Sequence, residues 1–201
     1  MSSDQTRGND GGGSARATSS KSRTVVEYAV LAVVAVAVAL LIQAFLVKPY
    51  RIPSESMENT LLIGDRVLVD RISWRSSEPQ RGDITVFHPP FDGPVLIKRI
   101  IGMPGDELSL SGGAVYVNGL RLDEPYVRRV GGRPEPSEAF ANGLPWALAK
   151  PYTVPPGSYF MMGDNRTDSG DSREFGPVPR GQFVGHAFAR YWPLARIGGV
   201  E

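Results

Sequence analysis

The segment Val95-Leu96-Ile97-Lys98-Arg99-Ile100-Ile101 follows Pro94 and runs into Gly102. It reads as a β-strand: aliphatic, β-rich and bounded by turn residues. Alternation puts Leu96, Lys98 and Ile100 on one face, and Val95, Ile97, Arg99 and Ile101 on the other. Each face therefore carries one basic residue between apolar neighbours. Working outward, the same periodicity recurs at Arg66–Asp70, Asp83–Phe87, Ser158–Met162 and Gln182–Trp192. Glu107–Leu110 and Ala114–Val117 flank Ser111-Gly112-Gly113 as a hairpin, and Asn118-Gly119 marks the next turn. About Glu124–Lys150 is a Pro-, Gly- and charge-rich excursion. No helical pattern of useful length appears after residue 47. These readings predict a mainly β protein.

Upstream, Tyr28–Val47 reads YAVLAVVAVAVALLIQAFLV, with Gln43 its one strongly polar residue. As a helix it would be ~30 Å long, the thickness of a bilayer's hydrocarbon core. It has no polar face, which argues against a buried core helix. It is too long, and lacks the small-residue exit, for a cleaved signal peptide. The expectation is one uncleaved transmembrane helix over 25–47. Residues 1–24 hold no Val, Ile, Leu, Phe, Tyr or Trp and read as a disordered tail. Arg7, Arg16, Lys21 and Arg23 precede the span, against Lys48 and Arg51 after it. This bias puts the N-terminus in the cytoplasm and residues 48–201 on the extracytoplasmic face of the cell membrane.

Composition narrows the chemistry. The 201 residues carry 22 Lys+Arg and 21 Asp+Glu, a formal net charge of +1, so no global field draws in nucleic acid. There is no cysteine, which excludes disulfides, thiolate metal sites and a Cys nucleophile. The acidic loop Gly163–Arg173 places Asp164, Asp168 and Asp171 off the spacing of an EF-hand, so no metal is expected.

Two features remain. Ser54 and Ser56 sit in a turn within Ile52–Leu61, a pattern with little specificity alone. Lys98 is more telling. If its face is buried, the ammonium is desolvated and its pKa falls. A free lysine is neutral in only about one molecule in 2,500 at pH 7; a fall of about two units makes it a usable base. Arg99 cannot serve, because guanidinium stays protonated.

In chain order the blocks are Pro53-Ser54-Glu55-Ser56-Met57 with Thr60-Leu61; Arg81-Gly82-Asp83-Ile84-Thr85-Val86-Phe87; Lys98-Arg99 with Gly102-Met103-Pro104-Gly105-Asp106; and Gly163-Asp164-Asn165-Arg166 with Asp168–Arg173. Behind an N-terminal span, this series resembles the bacterial type I signal peptidases. Asn59 departs from it, standing where the family more usually has Pro. The resemblance implies a mostly antiparallel β catalytic domain, with a core of about 48–103 and 151–201 and a smaller inserted subdomain of about 104–150. It implies a membrane-bound serine endopeptidase that removes signal peptides from exported preproteins after small residues, with no cofactor. Ser56 would be the nucleophile and Lys98 the general base. The Ser56 N–H and the Ser54 hydroxyl would hold the oxyanion. Ser169 would hydrogen-bond the lysine, Asp171 and Arg173 would form a structural ion pair, and Arg99 would join that cluster. Ile52, Met57, Leu61 and Ile97 would line the substrate pockets. The rivals are a hydrolase using His88 or His186, a self-cleaving Ser/Lys repressor, and an anchored non-catalytic binding module or inactive relative.

Overall fold

A computed structural model describes residues 17–140 and 143–200, with the side chains of the N-terminal helix described from Thr24 to Leu40. The chain divides into two compact units between Gln43 and Ala44. The first is helix α1, Ala17–Phe45. Its apolar side chains are exposed all round, Val25 through Leu40 among them. Among the described residues no helix is long and apolar enough to cross a membrane; those of α1 take in only part of the 28–47 stretch. Two expectations change here. Residues 17–24, assigned to a tail, are helical, since extending an existing helix adds one hydrogen bond per residue fixed; residues 1–16 lie outside the described residues. At the other end α1 stops at Phe45, and Val47 opens a strand.

The second unit is built on strands β1 (Val47–Arg51), β2 (Arg66–Asp70), β3 (Ile84–Phe87), β4 (Leu96–Gly102), β5 (Glu107–Ser111), β6 (Ala114–Val117), β7 (Leu120–Arg121), β8 (Arg129–Val130), β9 (Arg133–Pro134), β10 (Tyr152–Thr153), β11 (Ser158–Met162), β12 (Val178–Pro179), β13 (Phe183–Trp192) and β14 (Gly198–Gly199). The main antiparallel sheet runs β1-β2-β13-β3-β4-β11-β12, with β14 on β13. Two one-turn helices accompany them, α2 (Ser73–Ser76) and α3 (Ser172–Phe175). Pro49 is tolerated in β1 because that strand is the sheet's edge. By contrast β4 lies inside the sheet, between β3 and β11, so both of its edges are hydrogen-bonded.

The second sheet, β10-β5-β6-β7, is built largely from the 104–150 stretch. Its turns are built on positive φ at Gly112-Gly113 (57° and 78°) and Asn118-Gly119 (52° and 78°), which matches the twist of the strands they join. It reaches past the expected boundary at 150 to take in Tyr152–Thr153, and it shares a core with the main sheet. Ile101, Phe160 and Met162 of the main sheet pack with Leu108, Val115, Val117 and Val154. The sheets approach closely at Gly102, where a Cβ would stand 2.8 Å from Leu108 Cδ1.

Candidate active site

Ser54 is extended, and the chain then tightens into a single 3-10 turn, Glu55–Met57, closed by the Glu58 N–H donating to Glu55 O at 2.7 Å. Met57 is fully buried and pins the turn to the core, while the Ser54 and Ser56 hydroxyls stand 3.4 Å apart. This turn packs against β4, and Ser54, Ser56 and Lys98 line one cavity of about 610 Å³. Phe91, Leu96 and Phe175 are its apolar wall; Glu55, Asp168 and Glu174 are its acidic rim.

Lys98 is 3% exposed, and among the described residues its side chain has no hydrogen bond or ion pair. Burial pushes its ammonium down from 10.5 to about 8. Asp171 opposes this, Arg173 adds to it, and Asp164 and Asp168 oppose it more weakly. The cause is the one β4's alternation anticipates, because the Leu96–Ile100 face packs against Phe87, Tyr159 and Met161.

The loop after β11 carries the remaining polar groups, and it is paired internally. Asp171 takes Arg173 in a two-pronged ion pair, at 2.9 Å to Nε and 2.8 Å to Nη2. It also caps α3 by accepting from the Arg173 N–H and accepts from the Gly163 N–H at 3.1 Å. Burial works to raise the Asp171 carboxyl, but the charge and hydrogen bonds of Arg173, with Gly163, hold it below its ordinary value. Gly163 is required by close approach. A Cβ there would lie 2.3 Å from both Ser56 O and Ser169 Oγ.

Several expected roles fall differently. Ser169 Oγ is buried without a hydrogen-bond partner among the described residues, so it is not paired with Lys98. Arg99 joins the loop, but through Asp164, with Nε and Nη2 at 2.9 and 2.8 Å from the carboxylate. It also donates to Gly82 O and Thr60 Oγ1 and lies over the Tyr126 ring at 4.0 Å. Ile52, Met57 and Leu61 sit in the core with Val67, Val69 and Ile84, and Ile97 packs against that cluster. Ile52, Met57 and Leu61 are almost fully buried and Ile97 is half-buried, and none of the four lines the Ser56–Lys98 cavity. Neither histidine reaches it: His88 is exposed, and His186 stacks on Trp74 at 5.2 Å.

Sequence reasoning missed the partners of the buried arginines. Asp164 pairs with Arg99, and Arg166 with Glu124, from which it reaches Ser137 as well. The density of charge in Gly163–Arg173 was a signal that this loop is a pairing hub. Which arginine meets which carboxylate depends on strand register.

Residues 25–192 match the family described as signal peptidase, peptidase S26. A probable signal peptidase I-2 of Synechocystis sp. is 43% identical over 173 residues, covering 83% of this chain and 72% of the relative. Signal peptidase IB of Staphylococcus aureus is 34% identical over 179 residues, covering 87% and 93%. A solved signal peptidase I from Enterococcus faecalis is 36% identical, covers 55% of this chain and 97% of its own, and superposes with a TM-score of 0.47. With the family match spanning most of the molecule and the relatives aligned along nearly the whole chain, this protein belongs to the signal peptidase I family of serine endopeptidases.

Proposed function

We propose that this chain is a membrane-anchored signal peptidase in which Ser56 is the nucleophile and Lys98 the general base. The observation that carries the reading is the cavity shared by a serine hydroxyl and a buried lysine whose pKa has fallen to about 8. At that value roughly one molecule in ten is neutral at pH 7. Neutral Lys98 Nζ takes the proton from Ser56 Oγ as the oxygen attacks the scissile carbonyl. The ammonium then protonates the leaving amine as the C–N bond breaks. Water, giving its proton to Lys98, attacks the acyl carbon, and the ammonium returns a proton to Ser56 Oγ as the ester C–O bond breaks. The Ser56 N–H and the Ser54 hydroxyl stand beside the nucleophile as donors to the oxyanion; losing such a donor typically costs ~10²–10³-fold in kcat.

The substrates on this reading are exported preproteins cut after small residues. The 25–47 stretch is the anchor, with the N-terminus cytoplasmic and the catalytic unit on the extracytoplasmic face of the cell membrane. The apolar surface all round α1 supports the anchor. The tether supports a site near the bilayer: Ser56 is nine residues past Val47, at most ~32 Å of extended chain.

The test is cleavage of a preprotein by the full chain in vesicles. Ser56→Ala and Lys98→Ala should abolish it, while His88→Ala and His186→Ala should stay within about twofold of wild type. Activity surviving in either of the first two would overturn the reading.

A further inference from the structure

The peptide plane between Glu55 and Ser56 is held from outside the turn, by a residue 110 positions away. Asn165 donates its side-chain Nδ2–H to Glu55 O at 3.2 Å and its backbone N–H to Ser56 O at 3.2 Å. The Glu55 carbonyl thus accepts twice, from Asn165 and from the Glu58 N–H, which uses both lone pairs. A trans peptide is a rigid plane in which the carbonyl and the following N–H point in opposite directions. Fixing the direction of Glu55 C=O therefore fixes that of Ser56 N–H. Hydrogen bonds to that carbonyl also polarise the amide and strengthen its N–H as a donor.

Asn165 is itself held. It is fully buried. Arg128 Nη1 lies 3.5 Å from its Oδ1, which leaves Nδ2 turned toward Glu55. The same guanidinium pairs with Glu58, two residues past Ser56, at 3.2 Å. Gly163, two residues before Asn165, has no Cβ to push the loop off Ser56 O. The arrangement is a buried amide aimed at one carbonyl, braced from behind by a half-exposed arginine that also grips the far side of the turn.

We infer that Asn165 is a positioning residue for catalysis: through the Glu55 carbonyl it aims the Ser56 N–H at the oxyanion, with Arg128 setting the orientation of its amide. The inference rests on the reading of Ser56 as nucleophile. It places the effect of Asn165 in the transition state, where the oxyanion exists, rather than in substrate binding.

The test is steady-state cleavage by the full chain in vesicles, with a pH profile for each variant. N165A should lower kcat about 10- to 100-fold, short of complete loss of a donor, with KM within about twofold of wild type. Its rise in rate with pH should stay where wild type has it, since the surroundings of Lys98 are untouched. N165D should lose at least as much, because a carboxylate then faces the Glu55 carbonyl. R128M alters a surface residue and should lower kcat by about threefold without changing KM, which keeps the question answerable if N165A fails to fold. A kcat within twofold of wild type for N165A would overturn the inference. So would an R128M kcat equal to wild type where N165A cannot be assayed, or a loss in N165A that moves the pH profile with it, since that means the loop beside Lys98 has shifted. S56A is the control: if it cleaves, the nucleophile assignment fails; if it is dead while N165A is fully active, the positioning role alone fails.

Discussion

Lys98 and Arg99 are neighbours on β4, and the strand turns them to opposite sides of the sheet. Both are sealed from solvent, at 3% and 2% exposed, yet their surroundings differ in kind. Arg99 meets a carboxylate in a two-pronged ion pair, a backbone carbonyl, a hydroxyl and an aromatic face. Lys98 meets apolar side chains and a cavity lined by serine hydroxyls, and the carboxylate nearest in influence, Asp171, is committed to Arg173. A buried cation supplied with partners is a structural strut. A buried ammonium denied them gives up its proton more readily. Burial alone does not make a base; burial with the counter-charges assigned elsewhere does.

Exchanging the roles of the two sides is the most severe test of that contrast. Lys98→Arg keeps the charge and fills similar space, but guanidinium cannot deprotonate. We expect cleavage to fall ~10⁴-fold or more, the scale of removing a member of a catalytic unit, in a preprotein assay. Removing the counter-charge on the other side should damage the fold first. Asp164→Ala strands Arg99 in the interior and should cost about 3–5 kcal/mol in denaturant unfolding.

Lys98→Met should do the reverse. Holding the lysine's pKa near 8 rather than 10.5 means that, with the group protonated in both states, the native state bears a penalty of about 3 kcal/mol. Between these two values the unfolded chain binds more protons than the native one, so wild-type stability rises with pH. The methionine variant should therefore be more stable than wild type by up to about 3 kcal/mol at pH 7. The advantage should shrink from about pH 8 and be gone above about pH 10.5, as followed by unfolding at each pH. An advantage independent of pH would mean that desolvation of the ammonium is not its source.

The smallest effect concerns the turn after Ser56. Asn59 sits at φ 92° and donates to Tyr126 O at 3.1 Å. Proline is locked near −65°, so Asn59→Pro cannot keep this backbone. It should destabilise by about 1–3 kcal/mol, and Asn59→Gly by less than about 1, read as changes in unfolding midpoint.

How much of this was legible in the sequence follows the range of the interactions. Strands β2, β3, β4, β11 and β13 of the main sheet and the β5–β6 hairpin were readable because alternation and turn residues are local signals. The lysine's burial was legible only as a condition, because two aliphatic neighbours on the same face do not say whether that face meets the core. β1 was hidden, because Lys48-Pro49-Tyr50-Arg51 has no strand-like alternation and is strand only by pairing with β2. The Arg99–Asp164 pair spans 65 residues, and the Asn165 contacts to the Ser56 turn span more; no pattern along the chain encodes such meetings. Ile52, Met57 and Leu61 flank the Ser56 turn as apolar residues, and their burial shows that they anchor it in the core.

The dependence of kcat/KM on pH reports the free enzyme's essential groups, which makes it the most direct test of the unpaired-lysine account. We predict one limb, rising with pH through about 8 and level above it, unchanged in His88→Ala and His186→Ala. A limb between about 6 and 7 that disappears with either histidine, or one at an ordinary lysine's value near 10.4, would contradict it.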